Sequence, residues 1–289
     1  MTTENISFQL SAPVVPPSIE TSSFGFTRYL YIVDDVKSSL VIAILDRKRE
    51  EALFWAYELY FSGLKGDVFC ILEQMVSMMY IPLNPHLGKF LEKKKQEWEG
   101  TGSYTIVGTF IYNMIGRPYD VSAFVKEFCK DEELVKYIDS HPTDKPASKS
   151  NIYIVIEPKD VVKYLTVNHT KPHNLLKKTV KYPAKKTTLA IFDHEHGIYT
   201  HEQIQSLYWY RWLYYACASP IWAERVAKYG GTLNHQKQFI DFATYEQDEA
   251  FHNKYNLEPD EQTKQIQDMN IGNGSEEQIS WNEFYNTYK

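Results

Sequence analysis

The chain has 289 residues, a net charge of −6 and a hydrophobic fraction of 43% with 15% aromatic residues, which excludes a disordered chain and provides for one large core or two modest ones. The acidic balance excludes coating of nucleic acid by overall charge, although a local basic segment can still bind it. Cys70, Cys129 and Cys217 are widely spaced, odd in number and set in apolar helical patterns, so they read as buried thiols and not as a disulfide framework or a metal site.

Residues 1–23 carry Pro13, Pro16 and Pro17 among Ser and Thr, the composition of a flexible, extended arm. From 24 to 138 the pattern is helical throughout, and the spacing predicts an all-α domain with helices near 35–46, 48–62, 67–80, 86–98, 103–115 and 120–139. Ala52, Trp55, Ala56, Leu59 and Tyr60 recur at helical spacing. Leu53, Phe54, Tyr57 and Phe61 cover much of the other face, as in a helix inside a bundle. Asp67, Ser103 and Asp120 are candidate N-caps.

The stretch 139–150, DSHPTDKPASKS, is polar, has two prolines and lacks an apolar period, so it is the expected linker. Residues 151–256 read as a smaller α+β domain. IYIVIEP at 152–158 and LAIF at 189–192 are short β-branched runs expected as strands, and QFIDFA at 238–243 is a third. Thr200 with Gln203 and Thr244 with Gln247 fit capping boxes. The helix predicted across 204–215 is the most aromatic in the chain, and its rings are expected in the core. Residues 257–289 are acidic and Gln-rich, an expected tail closed by a short terminal helix around WNEFY. The fold class is therefore mainly α, a helical N-terminal bundle followed by a smaller α+β domain.

Three features could carry chemistry. The segment 171–186, KPHNLLKKTVKYPAKK, makes Lys171, Lys177, Lys178, Lys181, Lys185 and Lys186 candidate nucleic-acid-binding residues, because clustered ammonium groups suit phosphates and neighbouring rings suit unstacked bases. The alternative is a solvated lysine face, or a counterweight to Glu258, Asp260 and Glu261. Asp193, His194, Glu195, His196, His201 and Glu202 are the densest set of possible metal ligands, but their spacing matches no zinc signature. The charge cluster Asp46 to Glu51 reads as helix-end complementation. There is no GxSxG, no Walker A loop and no GxGxxG, so neither a catalytic residue nor a cofactor is assigned. No segment reaches the ~18 apolar residues of a membrane span.

The segments FTRYLYIVDDVKSSLVIAILDRKREEALFWAYELYFSGL (26–64), YWYRWLYYACASPIWAERVAKYGG (208–231) and FHNKYNLEPDEQ (251–262) resemble an uncharacterised family encoded by large nucleocytoplasmic DNA viruses. A bias toward Lys, Asn, Ile and Tyr suits an AT-rich genome of that kind. The resemblance implies a giant-virus factory in the host cytoplasm, or a virion, with other viral proteins as partners, and it transfers no activity to any residue. The expected function is a non-enzymatic protein-interaction or scaffold protein. The alternatives are a nucleic-acid accessory factor contacting RNA or single-stranded DNA, and a metal-dependent enzyme.

Overall fold

The computed structural model describes residues 24–185, 199–275 and 279–289. Those residues are mainly helical with one two-stranded sheet. The N-terminal helices are α1 (Val33–Leu45), α2 (Arg49–Phe61), α3 (Lys65–Met75), α4 (Leu87–Thr101) and α5 (Thr105–Ile115). α1 and α2 form an antiparallel hairpin turned at Arg47, which holds a left-handed φ of 59°. Trp55 and Leu59 are fully buried, as the apolar periodicity requires. Past α3 the chain continues as a π-helical turn, Val76–Tyr80, before Pro82 stops it.

The predicted helix 120–139 is two helices, α6 (Ser122–Phe128) and α7 (Glu132–Ser140). Cys129 is extended, and Asp131 caps α7 by accepting from the Glu133 and Leu134 N–H groups. Asp67 lies inside α3 and does not cap it. Asp120 accepts from the Ser122 N–H at 2.9 Å, but it stands one residue before the N-cap of α6, which is Val121 and has no side-chain cap. Of the thiols, Cys129 and Cys217 are buried, and burial pushes the Cys217 thiol up to about 12. Cys70 is exposed, against expectation.

The run expected as a strand is extended over 152–157 but belongs to no sheet, and Pro158 already opens the next helix. The partner of the extended run is α5. Arg117, two residues past the end of α5, donates to the Ser150 carbonyl at 3.2 Å and the Ile152 carbonyl at 2.6 Å. The Asn113 amide donates to the Ile154 carbonyl at 2.7 Å and accepts from the Ile154 N–H at 3.0 Å. The Thr109 hydroxyl accepts from the Ile156 N–H at 3.2 Å. Four residues of helix rise about 6.0 Å and two residues of extended chain about 6.6 Å, so polar side chains at four-residue steps can serve alternate backbone groups of a strand.

The chain continues through α8 (Pro158–Val161) and α9 (Leu175–Thr179), and resumes after the undescribed stretch with α10 (His201–Tyr210), α11 (Trp212–Ala216) and α12 (Pro220–Lys228). The Thr200–Gln203 capping box is present. The predicted single aromatic helix breaks at Arg211, while Ile204, Tyr208, Trp212 and Tyr215 are buried as core. The hairpin β1 (Gly231–Asn234) and β2 (Phe239–Phe242) pairs Gly231 with Phe242 and Asn234 with Phe239. The expected strand 189–192 lies outside the described residues.

After α13 (Tyr245–Tyr255) come α14 (Lys264–Ile271) and α15 (Trp281–Tyr288). The expectation of a tail over 257–289 is corrected here: Leu257, Ile271, Phe284, Tyr285 and Tyr288 are buried. Their apolar spacing wins because one face of each helix is shielded while the acidic residues stay outside.

A single apolar cluster extends from Phe24 to Tyr288. Tyr57 stacks on Tyr164 at 5.1 Å, Phe54 meets Tyr182 at 5.3 Å, and Phe124 meets Phe284 at 6.1 Å. Residues 141–150 are largely exposed, as a connection should be, but they connect halves that share this core. The segment Phe26–Ile32 is its keystone. Trp222 Nε1 donates to the Arg28 carbonyl at 2.9 Å and Asn270 Nδ2 to the Tyr29 carbonyl at 2.9 Å. Arg28, 3% exposed, pairs with Glu58, 1% exposed, at 3.0 Å.

Candidate anion-binding cleft

A cleft of about 560 Å³ opens where the last turn of α12 meets the end of α13. One wall is Arg225 and Lys228, the other Lys254 and Tyr255, and the strap Thr166–His169 closes the third side. Arg225 and Lys228 are three residues apart, so one helix face presents both. The Arg225 guanidinium lies 4.7 Å from the Trp222 ring centroid and 4.7 Å from that of Tyr255, held between two rings. The rings fix the planar group at little entropic cost and leave its N–H donors to the cleft.

Arg225 makes no hydrogen bond or ion pair among the described residues, and neither do the side-chain amines of Lys228 and Lys254. Burial draws the Arg225 pKa down from its ordinary value, although guanidinium stays protonated at neutral pH. Among the described residues, the only carboxylate lining the cleft is the exposed Glu224. Three cations against one carboxylate, one cation partly dehydrated, leave the site short of negative charge. Thr166, Asn168 and His169 add polar groups to its lining. Beneath it the Tyr29 hydroxyl accepts from the Val167 N–H at 3.0 Å, and burial raises its pKa, so it remains protonated.

The sequence-predicted lysines are placed differently. Leu175, Leu176, Thr179 and Ala184 are buried, so the segment is a packed ribbon with an outer basic face. Lys171, Lys177, Lys178 and Lys181 are exposed, and their amines have no partner among the described residues. Lys185 is half-buried and committed to Asp46 at 3.3 Å and Glu51 at 3.7 Å. Binding of a phosphate by this amine would have to displace both ion pairs. Lys186 lies outside the described residues. Among the described lysines none pairs with Glu258, Asp260 or Glu261; His173 lies 4.0 Å from Glu258. Pro172 and Leu175 line the cleft, so the basic ribbon begins at its rim.

Asp193, His194, Glu195 and His196 lie outside the described residues. Among those described, no group of three or more His, Cys, Asp or Glu side chains could hold a metal ion. No described helix is long and apolar enough to cross a membrane. Comparison of the chain with protein-family models, curated proteins and solved structures finds no match.

Sequence reasoning missed this cleft because its cations come from two helices about thirty residues apart. The one local signal was Arg225 and Lys228 closing a helix beside Trp222.

Proposed function

We propose that this chain is a non-enzymatic interaction protein that captures an anionic group of a partner protein in the cleft between α12 and α13. The observation that carries this reading is Arg225, clamped between Trp222 and Tyr255 with no ion pair among the described residues, beside Lys228 and Lys254. A phosphorylated side chain suits such a site, since phosphate accepts several charge-assisted hydrogen bonds at once. The resemblance to proteins of large DNA viruses supports a setting in a virus factory of the host cytoplasm, or in the virion, with viral partners.

The second reading, contact with RNA or single-stranded DNA, is favoured by the unpaired amines of Lys171, Lys177, Lys178 and Lys181 at the rim. Fluorescence anisotropy with a phosphopeptide and with a labelled oligonucleotide separates the two. Arg225→Met should weaken phosphopeptide binding about tenfold or more, because one hydrogen bond to a charged group is worth about 1.5–3 kcal/mol. Neutralising Lys177, Lys178 and Lys181 should leave that binding nearly unchanged. If instead the oligonucleotide binds, with affinity falling steeply with salt and lost in the lysine variant, the nucleic-acid reading replaces the first. Binding of neither by the parent protein at low salt sinks both.

A further inference from the structure

The extended segment 150–156 uses only one of its two backbone edges. Its even-numbered residues face Thr109, Asn113 and Arg117. An extended chain alternates, so the N–H and C=O groups of Asn151, Tyr153 and Val155 face the other way, and none of them makes a hydrogen bond among the described residues. Ile152 is 79% exposed, Ile154 45% and Val155 58%. Exposed edges are normally blunted by Lys, Pro or a bulge. Asn151 to Ile156 contains no charge and no proline, so this edge is open.

We propose that residues 6–11 of the chain's own N-terminal arm add to this edge as a β-strand. Ile6, Phe8 and Leu10 alternate with Ser7, Gln9 and Ser11, the period-2 pattern of a strand with one covered face. No proline falls between Asn5 and Ala12, so every N–H in the run can pair. Neither strand carries a charge, so nothing opposes their approach. The described chain begins at Phe24, and thirteen extended residues from Ser11 to that point span about 45 Å. That is close to the diameter of a folded chain of this length, roughly 50 Å, so the arm is long enough to meet an edge anywhere short of the opposite pole of the same molecule. Strand addition supplies affinity through main-chain hydrogen bonds, while the alternate apolar side chains supply register. With its apolar face on the side of Ile152 and Ile154, the occupant covers these two side chains, which are exposed among the described residues.

Amide hydrogen exchange on the full chain tests this through the Tyr153 and Val155 N–H groups, which α5 does not protect. In the parent protein they should exchange about 100-fold more slowly than in an unstructured peptide. A Phe8→Pro/Gln9→Pro variant, which removes one donor from each side of the arm so that neither register survives, should return both amides to nearly the unstructured rate. Val155→Pro offers a second route, because that N–H is not used by the α5 ladder: Tyr153 should lose protection while Ile154 and Ile156 keep theirs. Three results overturn the proposal. These are free exchange of Tyr153 and Val155 in the parent, protection that survives the arm prolines, and protection that vanishes on dilution, which would mean that the arm or edge of a second copy is the occupant.

Discussion

Replacing Glu58 by Ala should be among the most costly single changes in the protein. Its carboxylate is 1% exposed, accepts from Arg28 Nε at 3.0 Å and from the Tyr29 N–H at 3.0 Å, and so bonds both a buried cation and a buried backbone donor. Arg28 is itself 3% exposed; Nη2 donates to the Tyr164 carbonyl at 2.8 Å, and Nη1 has no hydrogen-bond partner among the described residues. Water cannot replace the lost carboxylate, and an uncompensated guanidinium in such a place costs about 3–5 kcal/mol. Against a typical total of 5–15 kcal/mol, that is a large share. In a chain of this size it lowers Tm by roughly 6–20 °C.

The assay is urea unfolding followed by tryptophan fluorescence, with Trp55 and Trp222 buried close to the affected segment. The Arg28→Met/Glu58→Leu double variant should lie within about 2 kcal/mol of the parent, because replacing a buried pair by apolar groups removes both desolvation penalties. If Glu58→Ala costs less than about 1 kcal/mol, or if the double variant costs the sum of the single ones, the pair is solvated and the reasoning fails.

Two other changes probe the same architecture. For Asp46, burial alone would raise the carboxyl, but hydrogen bonds from Lys48 and Tyr288 and the Lys185 charge outweigh it and hold the pKa below the ordinary value. A depressed folded-state pKa contributes stability above the unfolded value near 4 and loses it as pH falls through the folded one; Tyr288→Phe should therefore cost under about 1 kcal/mol at pH 5–7, with the deficit shrinking in acid, and a deficit independent of pH would refute the link. Trypsin should cut first within 141–150, and the two fragments should co-elute on gel filtration until denaturant is added, because Tyr57 with Tyr164 and Phe124 with Phe284 bind them into one core. Separation in native buffer would mean two independent domains.

The N-terminal bundle was legible because its signal is local. Positions 52, 55, 56 and 59 repeat at helical spacing within one helix, and that helix buries them. The extended segment at 152–156 was legible in conformation and not in pairing: β-branched residues favour extended backbone, but nothing local says that the partner is a helix offering Thr109 and Asn113 instead of a second strand. The last thirty-three residues were misread as a tail because acidic composition masks a sparse period, in which Ile271, Phe284 and Tyr288 supply the buried face. The densest run of lysines drew attention away from Arg225 and Lys254, which lie on different helices and come to one cleft only through tertiary packing.

The cleft and the keystone segment are physically continuous, which gives the anion site its logic. Val167 lines the cleft and donates to the Tyr29 hydroxyl, while the Tyr29 N–H is held by Glu58. Arg28 therefore has its counter-charge bonded inside the core, whereas Arg225 has only the exposed Glu224 nearby and bonds to no carboxylate among the described residues. The two guanidinium groups sit in the same electrostatic neighbourhood, since both act on the Tyr29 hydroxyl. Glu58 is already shared between Arg28 and the Tyr29 backbone, so it cannot also serve Arg225 without leaving a buried group unpaired. A protein that needed Arg225 only for packing would be better served by an apolar side chain between Trp222 and Tyr255, free of the desolvation penalty. Keeping a charged, ring-clamped and unpaired donor there makes sense when the missing carboxylate or phosphate arrives with a partner.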